Sequence, residues 1–201
     1  MLSSYSYMNQ HTDHYFITEI RNGNTKAFAA LVDSYKNMVF TLAVQLSKHH
    51  EDAEVASQDT FVKVFKSIGS FKQDAKLSTW VYRIAYNTCL DKLKAQKRRR
   101  EVELENALTE KDTQTIDNAY ELLVKSEQSE LIKQCVHHLP NDEGFLMTLY
   151  YFEELSLDEI SKITNLTTNH VKVKLYRSRK KLLTIMKEKL EPETIASYER
   201  R

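Results

Sequence analysis

The stretch Ser156–Lys181, SLDEISKITNLTTNHVKVKLYRSRKK, predicts two short helices joined by a tight turn. Ser156 and Glu159 have the spacing of a capping box, so a helix is expected to begin directly after Ser156. Asn165 can adopt the left-handed conformation that a sharp turn requires, and a second helix is predicted from about Thr168. These proportions are typical of a helix-turn-helix, in which the second helix enters the major groove of DNA.

The second helix of this motif is basic, and the charge is local. Residues 168–190 carry eight Lys or Arg and one acidic residue, whereas residues 101–167 carry four Lys or Arg and fifteen acidic residues. A basic segment of this kind favours a polyanionic partner, although an ordinary solvated helix face is the alternative. The side predicted to pack inward contains Val171, Leu175, Ser178 and Leu182. The opposite side contains Asn169, Lys172, Val173, Tyr176 and Lys180.

Composition indicates an all-α protein. The chain has 201 residues with three glycines and two prolines, and its apolar residues recur at helical spacing without period-two alternation. Cys89 and Cys135 each lie within a helical pattern, so we expect no disulfide framework, no metal site and no cofactor. No apolar run is long enough to insert into a membrane, and a cytoplasmic location is expected.

The first half of the chain predicts four helices. A short one over 16–20 ends at Asn22-Gly23, and a longer one with a wide apolar stripe begins near Lys26. The third, Glu51–Ser67, is expected to bury Val55, Phe61, Val62 and Phe65. Its other side is expected to show a charged row that is either plain surface or a docking surface, made of Asp52, Ala56, Asp59, Lys63 and Lys66.

The fourth helix follows a polar loop, Phe71–Lys76, that carries one aromatic residue expected to be exposed. Ser78 is the predicted N-cap, and the helix is expected to run to about Arg99. One side carries an indole, an amide and an ammonium, which unstacked bases could use for stacking, base-edge contact and phosphate contact. A second apolar core patch capped by the indole is the alternative. The row consists of Trp80, Ile84, Asn87, Asp91 and Lys94.

An abrupt change in composition separates two small helical domains. Residues 101–130 hold nine Asp or Glu and two Lys, which predicts an acidic linker over 101–128 with a nascent helix around Tyr120–Val124. The expected organisation is a polar tail (1–15), a first domain (16–100), the linker, a second domain (129–190) and a polar tail (191–201). In the second domain the helix-turn-helix is expected to pack on Phe145, Leu146, Leu149 and Phe152.

Two blocks of sequence, in this order, resemble the small extracytoplasmic function (ECF) type of bacterial sigma factor in the sigma-70 family. The first comprises DAEVASQDTFVKVF (Asp52–Phe65) and FKQDAKLSTWVYRIAYNTCLDKLK (Phe71–Lys94), and the second comprises LYYFEELSLDEISKIT (Leu149–Thr164) and HVKVKLYRSRKKL (His170–Leu182). The resemblance covers about residues 16–100 and 129–185. It implies a sigma-2-like helical bundle and a sigma-4-like helix-turn-helix domain.

The resemblance also implies partners and roles for individual residues. The partners are core RNA polymerase, through the beta-prime clamp helices and the beta flap, promoter DNA, and an anti-sigma factor. Contact with core polymerase is implied for Asp52, Glu54, Gln58 and Asp59. Contact with the promoter -10 element is implied for Phe71, Lys76, Ser78, Thr79, Trp80, Arg83, Asn87 and Lys94. Contact with the -35 element is implied for Thr168, Asn169, His170, Lys172, Lys174 and Arg177.

The expected function is promoter recognition, melting of the -10 element and initiation of transcription, with no covalent chemistry and no small-molecule substrate. No arrangement of paired carboxylates, metal ligands or an activated nucleophile indicates an enzyme. The rival hypothesis is a stand-alone helix-turn-helix regulator whose first domain senses a ligand or dimerises. That hypothesis does not account for the constellation from Phe71 to Asn87.

Overall fold

The computed structural model describes residues 13–104 and 127–189, which form α-helices and one 3₁₀ turn without any β-strand in those two ranges. The first half contains α1 (13–21), α2 (Thr25–Ser47), α3 (His50–Ser67), the turn Ile68–Ser70 and α4 (Leu77–Leu104). The second half contains α5 (Glu127–His137), α6 (Asn141–Tyr151), α7 (Leu157–Thr164) and α8 (Thr168–Lys189). The predicted all-α fold class is therefore confirmed.

The described helices pack into two separate units. Unit 1 comprises residues 13–44 and 51–104, and unit 2 comprises residues 45–50 and 127–189. The predicted nascent helix at Tyr120–Val124 and the C-terminal tail lie outside the described residues. Among the helix bounds that differ from expectation, α1 already includes residues 13–15, and α4 continues past Arg99 to Leu104.

The core of unit 1 is built on the apolar stripe of α2. Leu31, Val39 and Leu42 are completely buried, and the ring of Tyr35 meets that of Tyr82 on α4 edge to face at 6.2 Å. The predicted stop of α1 is also present, since Gly23 adopts a φ of 83°. Burial of apolar side chains of this size contributes about 1.5–3 kcal/mol each, so helices that are marginal alone are held together in the unit.

Unit 2 has α6 at its centre. Phe145, Leu146 and Leu149 are buried, as predicted, and α8 packs against α5, α6 and α7. Since α8 contacts all three of the other helices, its orientation is fixed by the unit's own core. Among the described helices, none is both long enough and apolar enough to cross a bilayer.

The helix-turn-helix has the predicted local structure. The Ser156 hydroxyl accepts a hydrogen bond from the Glu159 amide at 3.3 Å, and the Glu159 carboxylate accepts one from the Ser156 amide at 2.9 Å. Asn165 ends α7 in the left-handed conformation with φ 57°. On α8, Val171, Leu175 and Ser178 are buried, which leaves the opposite side in solvent.

The left-handed turn predicts a specific response to substitution. Asn165→Val should destabilise the α7–α8 pair by about 1–2 kcal/mol, because a β-branched side chain clashes with the backbone at positive φ, whereas Asn165→Gly should be tolerated. Hydrogen exchange of the α7 and α8 amides in the full-length chain measures this free energy of opening. Equal protection in the two variants would show that the turn conformation does not limit stability.

Candidate nucleic-acid interface

The solvent-facing row of α4 is positioned by the opposite side of the same helix. Leu77, Val81 and Ala85 are buried in unit 1, so the side chains that follow the other face of α4 project outward. Arg83 and Asn87 are exposed, one and two turns beyond the half-buried Trp80. Lys94 continues the same surface and is also exposed. Guanidinium, amide and ammonium groups thus follow the indole along one side of α4, over about four helical turns.

Trp80 lies on Phe71, with ring centroids 4.8 Å apart and planes inclined by 33°. Phe71 is only 4% exposed, so the prediction of an exposed aromatic in the loop is wrong. The backbone explains its position. The Phe71 amide donates to the Ile68 carbonyl at 3.3 Å, and the Phe71 carbonyl accepts from Arg21 Nη2 at 2.7 Å. Phe71 therefore supports the indole from the protein side.

The start of α4 also differs from the prediction. The helix begins at Leu77, and Ser78 lies within its first turn instead of capping it. The first helical hydrogen bond runs from the Trp80 amide to the Lys76 carbonyl at 3.1 Å. Thr79 lies on the buried side of α4 with 2% exposure, so the prediction that it contacts DNA is wrong for this structure. Lys76 is exposed and Ser78 is half-buried.

A cavity of about 340 Å³ lies between this loop and α1. Gln73, one of the residues of its wall, has a positive φ of 58°, a conformation that costs energy for a residue with a Cβ. The cavity is lined by Asp13, His14, Ile17, Phe71, Gln73, Asp74, Ala75, Lys76 and Leu77. The residues on α1 were not identified from the sequence, because Asp13 and His14 fall in the segment predicted to be a tail.

The buried side of α3 differs from the predicted one: Lys63 and Lys66 of the predicted outer row are exposed, but Ala56 of that row is buried. Val55, Val62 and Phe65 were expected in the core, but they are 48%, 51% and 50% exposed. The buried side is formed by Ala53, Ala56, Thr60 and Val64. Small residues at this spacing allow α3 to approach the core closely, and the Thr60 hydroxyl donates to the Ala56 carbonyl at 2.7 Å, so it can be buried. The larger apolar side chains remain outside.

The residues predicted to contact polymerase surround this apolar face. Glu54 and Gln58 are exposed among the three apolar side chains. Asp52 and Asp59 are half-buried at one flank, where the Asp59 carboxylate is 2.7 Å from Lys92 Nζ on α4. The α3 apolar face, which we define as Val55, Val62 and Phe65, was missed because apolar residues were assigned to the core by default. The row of small residues was the signal that could have located the core side.

The exposed side of α8 carries most of the residues predicted to contact the -35 element. Asn169, His170, Lys172 and Arg177 are exposed. Thr168 is half-buried, and its hydroxyl donates to the Asp158 carboxylate at 3.2 Å. Lys174 is half-buried and forms an ion pair with Asp142 on α6.

Two further side chains on α8 share this surface and were not among the predicted contacts. Val173 is 40% exposed and Tyr176 is 55% exposed. The Lys180 ammonium lies 4.8 Å from the centre of the Tyr176 ring, and its hydrogen bond lowers the pKa of the Tyr176 phenol. Apolar side chains on a basic helix face can contact the methyl groups of thymine.

Models of two sigma-70 regions match the chain. Sigma-70 region 2 matches residues 31–99, and Sigma-70, region 4, matches residues 129–182. These ranges contain the exposed row of α4 and the helix-turn-helix.

The chain is also similar to curated sigma factors over most of its length. It is 33% identical over 172 residues to the ECF RNA polymerase sigma factor SigW of Bacillus subtilis, covering 83% of this chain and 92% of SigW. It is 30% identical over 189 residues to the ECF RNA polymerase sigma-E factor of Haemophilus influenzae, covering 91% of this chain and 97% of that protein.

Two solved structures share the fold. The sigma factor RpoE from Bartonella quintana, in complex with the anti-sigma factor NepR, aligns with a TM-score of 0.63 and 22% identity, covering 82% of this chain and 99% of RpoE. CnrH in complex with the cytosolic domain of CnrY aligns with a TM-score of 0.61 and 20% identity, covering 89% of this chain and 99% of that one. With both sigma-70 regions matched in order and relatives aligned over nearly their whole length, this chain belongs to the ECF sigma factors of the sigma-70 family.

Proposed function

We propose that this sigma factor reads promoter DNA with two separate surfaces while it is bound to core RNA polymerase. Unit 1 takes the -10 element as melted single strand, and unit 2 takes the -35 element as duplex. The observation that carries this assignment is the exposed row on α4, because stacking, amide and cationic groups together suit unpaired bases and phosphates. A duplex-binding regulator has no need of that row.

At the -10 element, Trp80 offers a surface on which an unstacked base can lie. Asn87 can both donate to and accept from a base edge, and Arg83, Lys76 and Lys94 can contact phosphates. Ser78, two residues before Trp80, can contribute a hydroxyl contact to the DNA. Phe71 does not contact DNA itself but supports the Trp80 ring. Opening the duplex costs a few kcal/mol per step, and stacking of about 1–3 kcal/mol per base offsets that cost.

The cavity beside the loop has room for one base. Its volume of about 340 Å³ is at the small end of the range for ligand sites. Its walls combine an aromatic ring, an apolar side chain and polar groups, which fits the mixed surface of a nucleobase. A base captured there is withdrawn from its pair, so capture favours the open duplex.

At the -35 element, the solvent side of α8 enters the major groove. Asn169, His170 and Arg177 can reach base edges or phosphates, and Lys172 supplies a phosphate contact. The proposed surface also contains Thr168, Val173 and Tyr176. Lys174 reaches DNA only if it exchanges its ion pair with Asp142 for one with a phosphate.

The α3 apolar face is the proposed docking surface for the beta-prime clamp helices of core polymerase. Three apolar side chains of α3 are exposed to solvent on the same side of the helix. A cluster of this kind often marks a site that a partner covers. Glu54 and Gln58 within this face, with Asp52 and Asp59 at its flank, supply a polar rim that fixes orientation. Unit 2 is proposed to contact the beta flap.

Regulation and location follow from these partners. An anti-sigma factor is the proposed inhibitor, supported by the RpoE–NepR complex, in which a sigma factor of this fold is bound to an anti-sigma factor. Because polymerase and promoter DNA are cytoplasmic in bacteria, we place the action of this chain in the cytoplasm. The work consists of differential binding, and the covalent chemistry of transcription belongs to core polymerase.

Transcription with purified components tests the whole proposal. Core polymerase mixed with this chain and a library of genomic fragments should start at a defined set of sites, absent when core polymerase is used alone. If no start site is selected and no stable complex elutes, the proposal fails. Protection of a specific duplex by the pure chain without polymerase would instead favour a stand-alone regulator.

Lys172 tests the duplex contact. Lys172→Ala should weaken binding of the holoenzyme to a duplex carrying the -35 element and reduce the slope of log affinity against log salt by about 1, since one phosphate contact is lost. Lys187→Ala removes another exposed cation, from the last turns of α8, and serves as the matched control. A salt slope that is the same for both variants and the wild type would remove Lys172 from the interface.

A further inference from the structure

Asp13, at the start of α1, makes a hydrogen bond to a distant part of the chain. Its Oδ2 atom accepts from the backbone amide of Leu77 at 3.1 Å, across 64 residues of sequence. The Tyr35 hydroxyl on α2 also donates to the Asp13 carboxylate. Asp13 is half-buried between these groups. Three helices therefore meet at one carboxylate, and the amide it binds is the first of α4.

This bond replaces a cap that the sequence of α4 does not provide. The first amides of a helix have no partner within the helix, and a side-chain oxygen just before the helix normally accepts from them. Lys76 occupies that position, and a lysine side chain has no acceptor. The Asp13 carboxylate supplies the acceptor, and its negative charge is favourable at a helix N-terminus.

A second residue of α1 holds the other end of the same loop. Arg21 Nη2 donates to the Phe71 carbonyl at 2.7 Å and approaches the Ile68 carbonyl at 3.5 Å. Arg21 thus binds the chain where the loop begins, and Asp13 binds it where the loop ends. His14 and Ile17, between these two residues on α1, form one wall of the cavity, and the loop forms another.

We propose that α1 positions the loop that precedes α4. Asp13 and Arg21 hold the two ends of the segment Phe71–Leu77, so that the adjoining cavity is formed before DNA binds. The inference rests on the proposed function of that loop and adds α1 to it. Both are positioning residues, since they act through the loop. Preorganisation of this kind increases affinity, because the loop loses less conformational freedom when the base binds.

The charge of Asp13 can be separated from its hydrogen bond. Burial raises the pKa of the Asp13 carboxyl, and the Leu77 amide, Lys76 and the Tyr35 hydroxyl act in the opposite direction. Asparagine retains an acceptor oxygen without the buried charge, and it caps helices as well as aspartate does. Asp13→Asn should therefore preserve the loop, whereas Asp13→Ala should release it.

The test uses holoenzyme assembled from core polymerase and the full chain. Single-stranded oligonucleotides with the -10 sequence carry one abasic site at each position in turn. With the wild type, an abasic site at one position should weaken binding markedly, and this identifies the position whose base binds in the cavity. Asp13→Ala should weaken binding of the intact oligonucleotide about tenfold, the scale of a lost helix cap. In this variant the abasic site at that position should have no further effect, while the other positions keep theirs.

Arg21→Ala removes the hydrogen bond at the other end of the loop and should cause the same loss of affinity at the same position. Asp13→Asn should behave as the wild type. Asp33→Ala is the matched control, because Asp33 is an exposed carboxylate on α2 whose ion pair is with Lys36 in the same helix. Loss of affinity by equal factors at every position, or failure of Asp13→Asn to restore binding, would overturn the inference.

Trp80→Ala, measured in the same assay, separates this inference from the proposed function. If Trp80→Ala leaves the binding of all oligonucleotides unchanged, the assignment of the -10 surface is wrong and the inference falls with it. If Trp80→Ala weakens binding and Asp13→Ala does not, the -10 surface stands and the role of α1 is rejected.

Discussion

Replacing Trp80 with alanine is expected to lower the rate and extent of -10 melting by about 5- to 150-fold, which is the range that corresponds to about 1–3 kcal/mol for one lost base stack. The indole lies on Phe71, which limits its motion, and it shares the exposed side of α4 with Arg83 and Asn87. A surface held in place before DNA arrives loses little entropy on binding, so its removal should cost most of the stacking energy.

Melting can be followed by permanganate reactivity of thymines in the -10 element. Affinity for core polymerase is measured in parallel. Trp80→Phe is the matched control, since a phenyl ring keeps a stacking surface and should retain most of the melting activity. Asn87→Ala should cause a smaller loss, because one amide contributes fewer contacts than an indole. If Trp80→Ala also abolished the binding of core polymerase, the residue would be shown to support the fold of unit 1.

Val62→Asp is expected to raise the dissociation constant for core polymerase at least thirtyfold, corresponding to about 2 kcal/mol or more for a central residue of an interface. The side chain is 51% exposed in the free chain, so the substitution should barely affect folding. At a covered interface, however, it would bury a carboxylate without a partner, and an unpaired buried charge is strongly unfavourable. The loss should therefore appear in binding and not in stability.

Fluorescence anisotropy of labelled chain titrated with core polymerase gives this dissociation constant. Asn37→Asp introduces the same charge at an exposed position on α2 and serves as the control. Thermal unfolding of both variants should match that of the wild type. Unchanged affinity for Val62→Asp would show that polymerase docks elsewhere on unit 1.

The helix-turn-helix was predictable from sequence because its signals are local. Ser156 and Glu159 define the start of α7, and Asn165 defines its end, all through contacts within a few residues. The faces of α8 followed from helical periodicity, because its buried side is apolar apart from Ser178. In this unit local sequence preferences and tertiary packing favour the same structure, so the sequence was sufficient to predict the helix-turn-helix.

Unit 1 could be predicted only in part, because distant partners decide which side chains are buried. On α3, Ala56 is buried and Val62 is exposed, so the size of the space beside the helix outweighed hydrophobicity. Phe71 is buried under Trp80, and its carbonyl is bound by Arg21, which lies 50 residues away in sequence. Asp13 was assigned to a tail because its partner, Leu77, is remote. Helical periodicity nevertheless placed Trp80 and Asn87 on the side of α4 that faces away from its buried residues, and this side carries the proposed -10 surface.

The ion pairs between α6 and α8 have a consequence for the expected strength of sequence-independent DNA binding by the free protein. Asp142 holds Lys174, and the Glu143 carboxylate lies 2.5 Å from Lys181 Nζ. A phosphate that approaches either lysine must compete with the carboxylate that is already bound to it. Fewer counterions are therefore released from the DNA, and sequence-independent binding is weaker. These intramolecular ion pairs would keep the free protein from being retained on unrelated DNA before core polymerase brings both units to a promoter.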